Sequence, residues 1–329
     1  MQSLNCNESC CYQQMPGPSG PVSLGHKGEV LKEGNMREDL ELMKGAIDLH
    51  IHSAPSLFPR LVDHVEAAEG ARKFGMRAVV LKEHHGFTAD RMYFVRKLVQ
   101  GIEVYGGVVL NNAVGGINPF AVDAAIKLGA KIVWFPTLSS KNHLDQMGSP
   151  DFGKSMKQAS TLKIEEKPIT VFDSKSHLLP EVYEVIDLIA QADIVLATGH
   201  LSIPEAMAVI KAAKERGVKR LYVNHPEYIV NGSIEEQKEL ADLGAFIEHL
   251  ALFMYPMWPI KAGLDGVVEM IKAVGPERTV LCTDLGQVHN PPPAEGFRMY
   301  LRVLLEKGIP AENLKKMVQD NPAFLLNLS

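Results

Sequence analysis

Five side chains of metal-binding type recur at places where short aliphatic runs end. His50 and His52 stand two apart in Ile47-Asp48-Leu49-His50-Ile51-His52. Alternate residues of an extended chain point to one side, so the two imidazoles converge and make half a site for Zn²⁺ or a similar ion. His200 closes Thr198-Gly199-His200, His225 follows Val223-Asn224, and Asp284 follows Cys282-Thr283. One such histidine alone would be an ordinary hydrogen-bonding residue. Five together at equivalent strand ends predict a metal centre made of His50, His52, His200, His225 and Asp284. Lys82 ends another run, Leu81-Lys82-Glu83-His84-His85. Alternation puts His84 on the side of Lys82, as a ligand or substrate contact, and His85 behind it. Arg60 and Arg91 follow the first and second runs and could meet a substrate carboxylate.

Other polar residues carry lesser expectations. Glu248-His249 is assigned a hydrogen-bonding role, and Asp48 the orientation of an imidazole. His143 and His177 are expected at the surface. His64 and His26 are given no role. Trp134 and the stretch Met254-Tyr255-Pro256-Met257-Trp258 could wall a pocket or pack in the core.

A scaffold must bring these residues to one point. Eight runs read as strands: 47–52, 77–82, 104–110, 131–135, 194–198, 220–224, 245–250 and 279–283. Most are continuous and aliphatic, as suits strands buried on both faces of a parallel sheet. Helical patterns lie between them. Ser202 with Glu205, and Ser233 with Glu236, read as capping boxes; Thr88 and Asp90 open a helix toward Val99; Pro180 opens one ending near Ala192. Gly75, Gly129, Gly217 and Gly244 fall where helices should stop. Eight such units close most economically into a (β/α)8 barrel, whose active site lies at the C-terminal strand ends. An open doubly wound sheet fits less well, because no Gly-rich phosphate turn follows the first strand. One interval, Thr137 to Asp193, is long, and its residues 138–178 read as an inserted hairpin or loop between strands four and five. Residues 1–35 read as a flexible tail, and 36–329 as one barrel domain.

The pattern resembles the amidohydrolase superfamily: His-x-His after the first strand, His after the fifth and sixth, Asp after the eighth. The closing Asp320-Asn321-Pro322-Ala323 is similar to the Asn-Pro-Ala segment that ends many of these enzymes. The resemblance spans residues 46–329 and, through Leu81-Lys82-Glu83-His84-His85, is nearest an uncharacterised amidohydrolase-related branch. It implies that His50, His52 and His200 ligate a divalent metal, with Zn²⁺ the leading choice and Mn²⁺, Fe²⁺ or Ni²⁺ able to use the same ligands. Either one ion or two would fit. Asp284 would touch the metal or its water and act as general base, and His225 would hold a second metal or polarise the substrate carbonyl. Two-metal members usually place a carboxylated Lys or a Glu at the end of the fourth strand. Here Ile132-Val133-Trp134-Phe135-Pro136-Thr137 offers neither. Lys82 could replace it after carboxylation, act as a cation on substrate or developing charge, or pair structurally with Glu83 or another acid. The implied activity is hydrolysis of a C–N or C–O bond in a small amide, cyclic amide, ester or lactone. A metal-dependent non-oxidative decarboxylase and a His-rich barrel phosphoesterase of the PHP type are the alternatives.

Composition agrees with a globular enzyme. Of 329 residues, 46% are hydrophobic and 22% charged, which allows a sizeable core. A net charge of −5 with no basic block argues against a nucleic-acid partner. No apolar run reaches the ~18 residues of a membrane span, and no secretory signal opens the chain, so a cytoplasmic location is expected. Cys6, Cys10, Cys11 and Cys282 do not form a disulfide framework. The expected partner is a small molecule, with an anionic one suiting the nearby cations; a homo-oligomer is compatible with the sequence.

Overall fold

The computed structural model describes residues 38–148, 164–255 and 262–328. The expected tail 1–35, with Cys6, Cys10, Cys11 and His26, lies outside these residues, as do Pro256, Met257 and Trp258. The strands are β1 (Ile47–His52), β2 (Ala78–Lys82), β3 (Glu103–Tyr105), β4 (Gly107–Val109), β5 (Ile132–Trp134), β6 (Val195–Ala197), β7 (Leu221–Val223), β8 (Phe246–Leu250) and β9 (Thr279–Cys282). They pair in sequence order, β1-β2-β3 and β4 through β9, and every ladder is parallel. Helices follow the strands and cover their outer faces, which is why the strand residues are almost all buried.

The third strand, expected at 104–110, is broken at Gly106. Residues 103–105 pair back to β2, and residues 107–109 pair forward to β5. Thr88 is the wedge. Its amide donates to Gly107 O (3.0 Å), and Gly107 N donates to Thr88 Oγ1 (2.9 Å). A Cβ on Gly106 would come within 2.6 Å of the Thr88 carbonyl carbon, so only glycine admits this approach. Thr88 therefore does not start a helix; that helix is shorter, Met92–Leu98.

Closure is made between β1 and the segment after β9. Asp284 N donates to His50 O and His52 N to Leu285 O, each at 2.8 Å. Asp48 reinforces the seam. Its Oδ2 accepts from Thr283 Oγ1 (2.6 Å), and its Oδ1 accepts from Thr283 N (3.2 Å) and His50 N (3.0 Å). Asp48 thus orients backbone and not the imidazole assigned to it. Burial pushes its carboxyl up to about 7 despite the bonds from Thr283 and His50. With β3 and β4 counted as one staggered position, the architecture is the expected (β/α)8 barrel. Val109, Trp134, Ala197 and Tyr222 are paired in register and fill one level of its interior. Trp134 is a core residue.

Sequence signals at helix ends hold. Ser202 with Glu205 and Ser233 with Glu236 form capping boxes, and Asp63 with Glu66 forms another. Gly75, Gly129, Gly217 and Gly244 all have positive φ. The long interval opens with helix Lys141–Met147, capped by Ser140. It then makes a small hairpin in which Phe172 pairs with Leu178, with His177 exposed near its turn. Among the described residues, no helix is long and apolar enough to cross a membrane.

Gly286 lies against the seam with φ +128°, and a Cβ there would sit 1.6 Å from His52 O. Gly286→Ala should therefore cost ~3 kcal/mol or more in thermal unfolding. Gly217→Ala, with φ +84° but open space, should cost only ~1 kcal/mol. Equal costs would mean that the seam tolerates displacement.

Candidate metal centre

The site begins with a bulge. The β1–β2 register slips between Asp48 and Ile51, so β1 carries an extra residue around His50. The Asp48 carboxylate bonding His50 N stabilises that kink. His50 and His52 then face one another with ring centroids 5.2 Å apart. Their Nε2 atoms lie 3.2 and 3.0 Å from Asp284 Oδ1. The donor atoms of His50, His52 and Asp284 lie within 4.8 Å of one another.

Each imidazole is anchored through its other nitrogen. His50 Nδ1 lies 2.9 Å from Glu248 Oε1, and His52 Nδ1 lies 3.1 Å from Lys82 O. A carboxylate and a carbonyl only accept, so a proton on each Nδ1 would satisfy them and leave both Nε2 atoms, beside Asp284, as ligands for a metal. Burial first, and the charge of Arg60 second, lower the His52 pKa well below the usual value. Burial does the same for His84, His200 and, less strongly, His225. Neutral imidazoles are what a metal requires.

Glu248 is the residue whose weight sequence reasoning underestimated. It is fully buried, and Oε1 also accepts from the Tyr222 hydroxyl. Oε2 accepts from Asn224 Nδ2 (2.9 Å) and His225 N (3.1 Å). Burial pushes its pKa up, but His50, His225 and these hydrogen bonds outweigh it and hold the carboxyl near about 2. His225 enters the site at φ +21° and Asp284 at φ +52°, conformations uncommon outside glycine. His225 Nδ1 is buried with no hydrogen-bond partner among the described residues.

His200 lines the same cavity, its ring 5.1 Å from that of His225, but stands outside the close trio. His143 corrects an expectation. It is fully buried and not at the surface, with Nδ1 2.9 Å from His200 Nδ1 and the two rings stacked 5.0 Å apart. The cause is local. Ser140 Oγ and Asn142 Nδ2 both donate to His200 O, at 3.0 and 3.1 Å, which clamps the first turn of the inserted helix over His200. Ser140 marks where that helix starts, but no local pattern marks His143 as turned inward.

A cavity of about 390 Å³ joins these groups, lined also by Arg60, Lys82 and His84 with Phe58, Tyr228 and Leu252. Lys82 is fully buried, with Nζ 3.1 Å from His50 Nε2, and it makes no ion pair with Glu83, which turns instead to His85 (3.3 Å). Burial lowers the Lys82 pKa to about 8 against the pull of Asp284 and Glu248. His84 shares a hydrogen bond with Thr137 Oγ1 (2.9 Å). Arg91 does not reach the cavity. It donates to Pro55 O (3.0 Å) and lies against His64, which bonds Ser53 Oγ (2.6 Å). His249 points outward to Glu227 (3.2 Å).

Oriented imidazole pairs of the His143–His200 kind raise ligand affinity by holding one tautomer. His143→Leu should weaken Zn²⁺ binding about 10- to 100-fold in a chelator competition while the protein stays folded. Unchanged affinity would remove His143, or His200, from the centre.

Comparison with known proteins supports this fold. No curated protein matches the chain by sequence. Among solved structures, an amidohydrolase from Pseudomonas aeruginosa aligns with a TM-score of 0.60 at 17% identity, covering 88% of this chain and 98% of that one. The probable dipeptidase PvdM from Pseudomonas aeruginosa aligns with a TM-score of 0.57 at 11% identity, covering 89% and 98%. The organophosphorus hydrolase from Deinococcus radiodurans aligns with a TM-score of 0.54 at 15% identity, covering 88% and 93%. At these identities the likeness is one of fold, and it agrees with the barrel expected from the strand pattern. A family model described as a family of unknown function, DUF6282, matches residues 45–248, more than half of the chain. The chain therefore belongs to the DUF6282 family, and its fold is a (β/α)8 barrel like that of the solved structures above.

Proposed function

We propose that the chain is a metal-dependent hydrolase of small molecules, cleaving a C–N or C–O bond. One observation carries the reading: two Nε2 atoms, on rings anchored through Nδ1, converge with a carboxylate oxygen within 4.8 Å. That donor set suits Zn²⁺, with Mn²⁺, Fe²⁺ and Ni²⁺ able to use it. His50, His52 and Asp284 would hold the ion, with His200 and His225 completing it or holding a second. When bound, such an ion supplies Lewis-acid activation of water and of the scissile group.

The chain's own residues supply the rest. Asp284 accepts the proton of the attacking water and returns it to the leaving group. Its fixed place beside both histidines makes this transfer short. His225, with Nδ1 uncommitted, either ligates or donates to the carbonyl oxygen. Lys82 Nζ has His50 Nε2 as its one hydrogen-bond partner among the described residues. Once that lone pair is engaged elsewhere, the ammonium is free to stabilise negative charge on the substrate. The apolar wall of Phe58, Tyr228 and Leu252 excludes water from the reacting bond. The structural relatives named above include an amidohydrolase and a probable dipeptidase, which supports hydrolysis, and the organophosphorus hydrolase shows that the same barrel hosts other bonds.

Elemental mass spectrometry of the purified protein should find about one or two equivalents of a transition metal, lost in a folded His50→Ala/His52→Ala double variant. A wild type that stays metal-free after incubation with Zn²⁺ and Mn²⁺ would sink the proposal. Asp284→Asn should keep most of the metal and lower kcat by ~10³-fold or more on whichever small amide, cyclic amide, ester or lactone the wild type turns over. Full activity in that variant would mean that another group is the base.

A further inference from the structure

The cavity carries more positive charge than the proposed chemistry needs. Arg60 and Lys82 face one carboxylate, Asp284, before the charge of any metal is counted. Lys82 lies at the floor of the site beside His50, where the proposed reaction already uses it. Arg60 is not. Its Nε donates to Ser56 Oγ (3.3 Å), and its guanidinium lies 5.2 Å over the Phe58 ring. These two contacts set the plane of the fork and leave both terminal nitrogens without a hydrogen bond or ion pair among the described residues. Asp284 and Glu83 act on it only through space.

The loop that carries Arg60 is itself fixed. Ser56 Oγ also accepts from Phe58 N (3.1 Å), and Leu61 N donates to Gly286 O (2.9 Å). Backbone pairing of Arg60 with Gln287 ties the loop to the segment that delivers Asp284. A half-buried guanidinium held over an aromatic ring on the wall of the cavity, with its fork unused among the described residues, has little purpose in holding the fold. It is preorganised for a planar anion.

We propose that Arg60 is the subsite for a carboxylate carried by the substrate at a distance from the scissile bond, so that the site selects anionic over neutral small molecules. This rests on the metallohydrolase reading above. A carboxylate is favoured over a phosphoryl group because one planar fork satisfies both of its oxygens, whereas a phosphoryl group presents a third oxygen that the fork does not reach. The substrate's middle then lies along Phe58, Tyr228 and Leu252, which supply apolar surface and no charge.

Hydroxamic acids test the two readings separately, because the hydroxamate head chelates a metal whatever its tail carries. Alkyl hydroxamates of several chain lengths, ending in a carboxylate or in the uncharged primary amide, are titrated calorimetrically into zinc-loaded protein. At the best length, the carboxylate should bind about ten- to a hundredfold tighter than its amide, and the gap should narrow as salt is raised. Arg60→Met should abolish the gap, chiefly by weakening the carboxylate, with Arg60→Gln as a second variant should the first lose the fold. Equal binding of both tails by the wild type at every length would overturn the subsite and leave the metal centre standing. A gap that survives Arg60→Met but vanishes in Lys82→Met would overturn the assignment to Arg60. Failure of every hydroxamate to bind would overturn the metal centre and the subsite together.

Discussion

A carboxylate buried without partners would cost several kcal/mol, and Glu248 sits at the centre of this barrel fully enclosed. Everything around the site is arranged to meet that demand. The ring of His50 comes from β1, the hydroxyl of Tyr222 from β7, and the amide of Asn224 and backbone of His225 from the turn after β7. Each such bond to a charged acceptor contributes roughly 1.5–3 kcal/mol, so four of them offset the burial. The same four bonds set the His50 tautomer, bring the first strand toward the seventh and eighth, and pull His225 into an unfavourable φ. The metal-ready geometry of His50 is in this sense a by-product of satisfying one buried charge.

Local conformations that cost energy gather at the same end of the barrel. Asp284 and His225 adopt positive φ, β1 bulges at His50, and Gly199 reaches His200 by a turn in which a Cβ would strike Phe135 O at 2.3 Å. Such features persist only where their surroundings over-determine them. Here the surroundings are the Asp48–Thr283 pairing, the Asn224 side chain accepting Gly199 N (3.0 Å), and the clamp of Ser140 and Asn142 on His200.

How much of this could be read from residues alone follows from the range of each interaction. Strand runs, capping boxes and helix-ending glycines depend on neighbours within a few positions, and they were legible. The His50–His52 pair was legible because alternation is local, and Asp284 because it ends an aliphatic run as the histidines do. His143 was not, because its partner His200 is 57 positions away and nothing in a helical insertion announces which turn folds inward. The break at Gly106 depends on Thr88 arriving from another loop, and Arg91 is drawn from the cavity by Pro55 O, 36 positions away. Glu248 could be placed inward by alternation in β8, but its four partners belong to three different segments. Their convergence is a property of the closed barrel.

The seam between β1 and the segment after β9 has a consequence for biosynthesis. Asp48 and Thr283 are separated by 235 positions, yet their bond fixes the register in which Asp284 meets His50 and His52. A nascent chain displays the two histidines early on the ribosome, but the carboxylate that completes the trio is delivered only when the final strand docks. Partly made or partly folded chains therefore hold a weak, incomplete chelator. On the metal-centre reading proposed above, capture of an ion would mark finished assembly and act as the last stitch in the barrel.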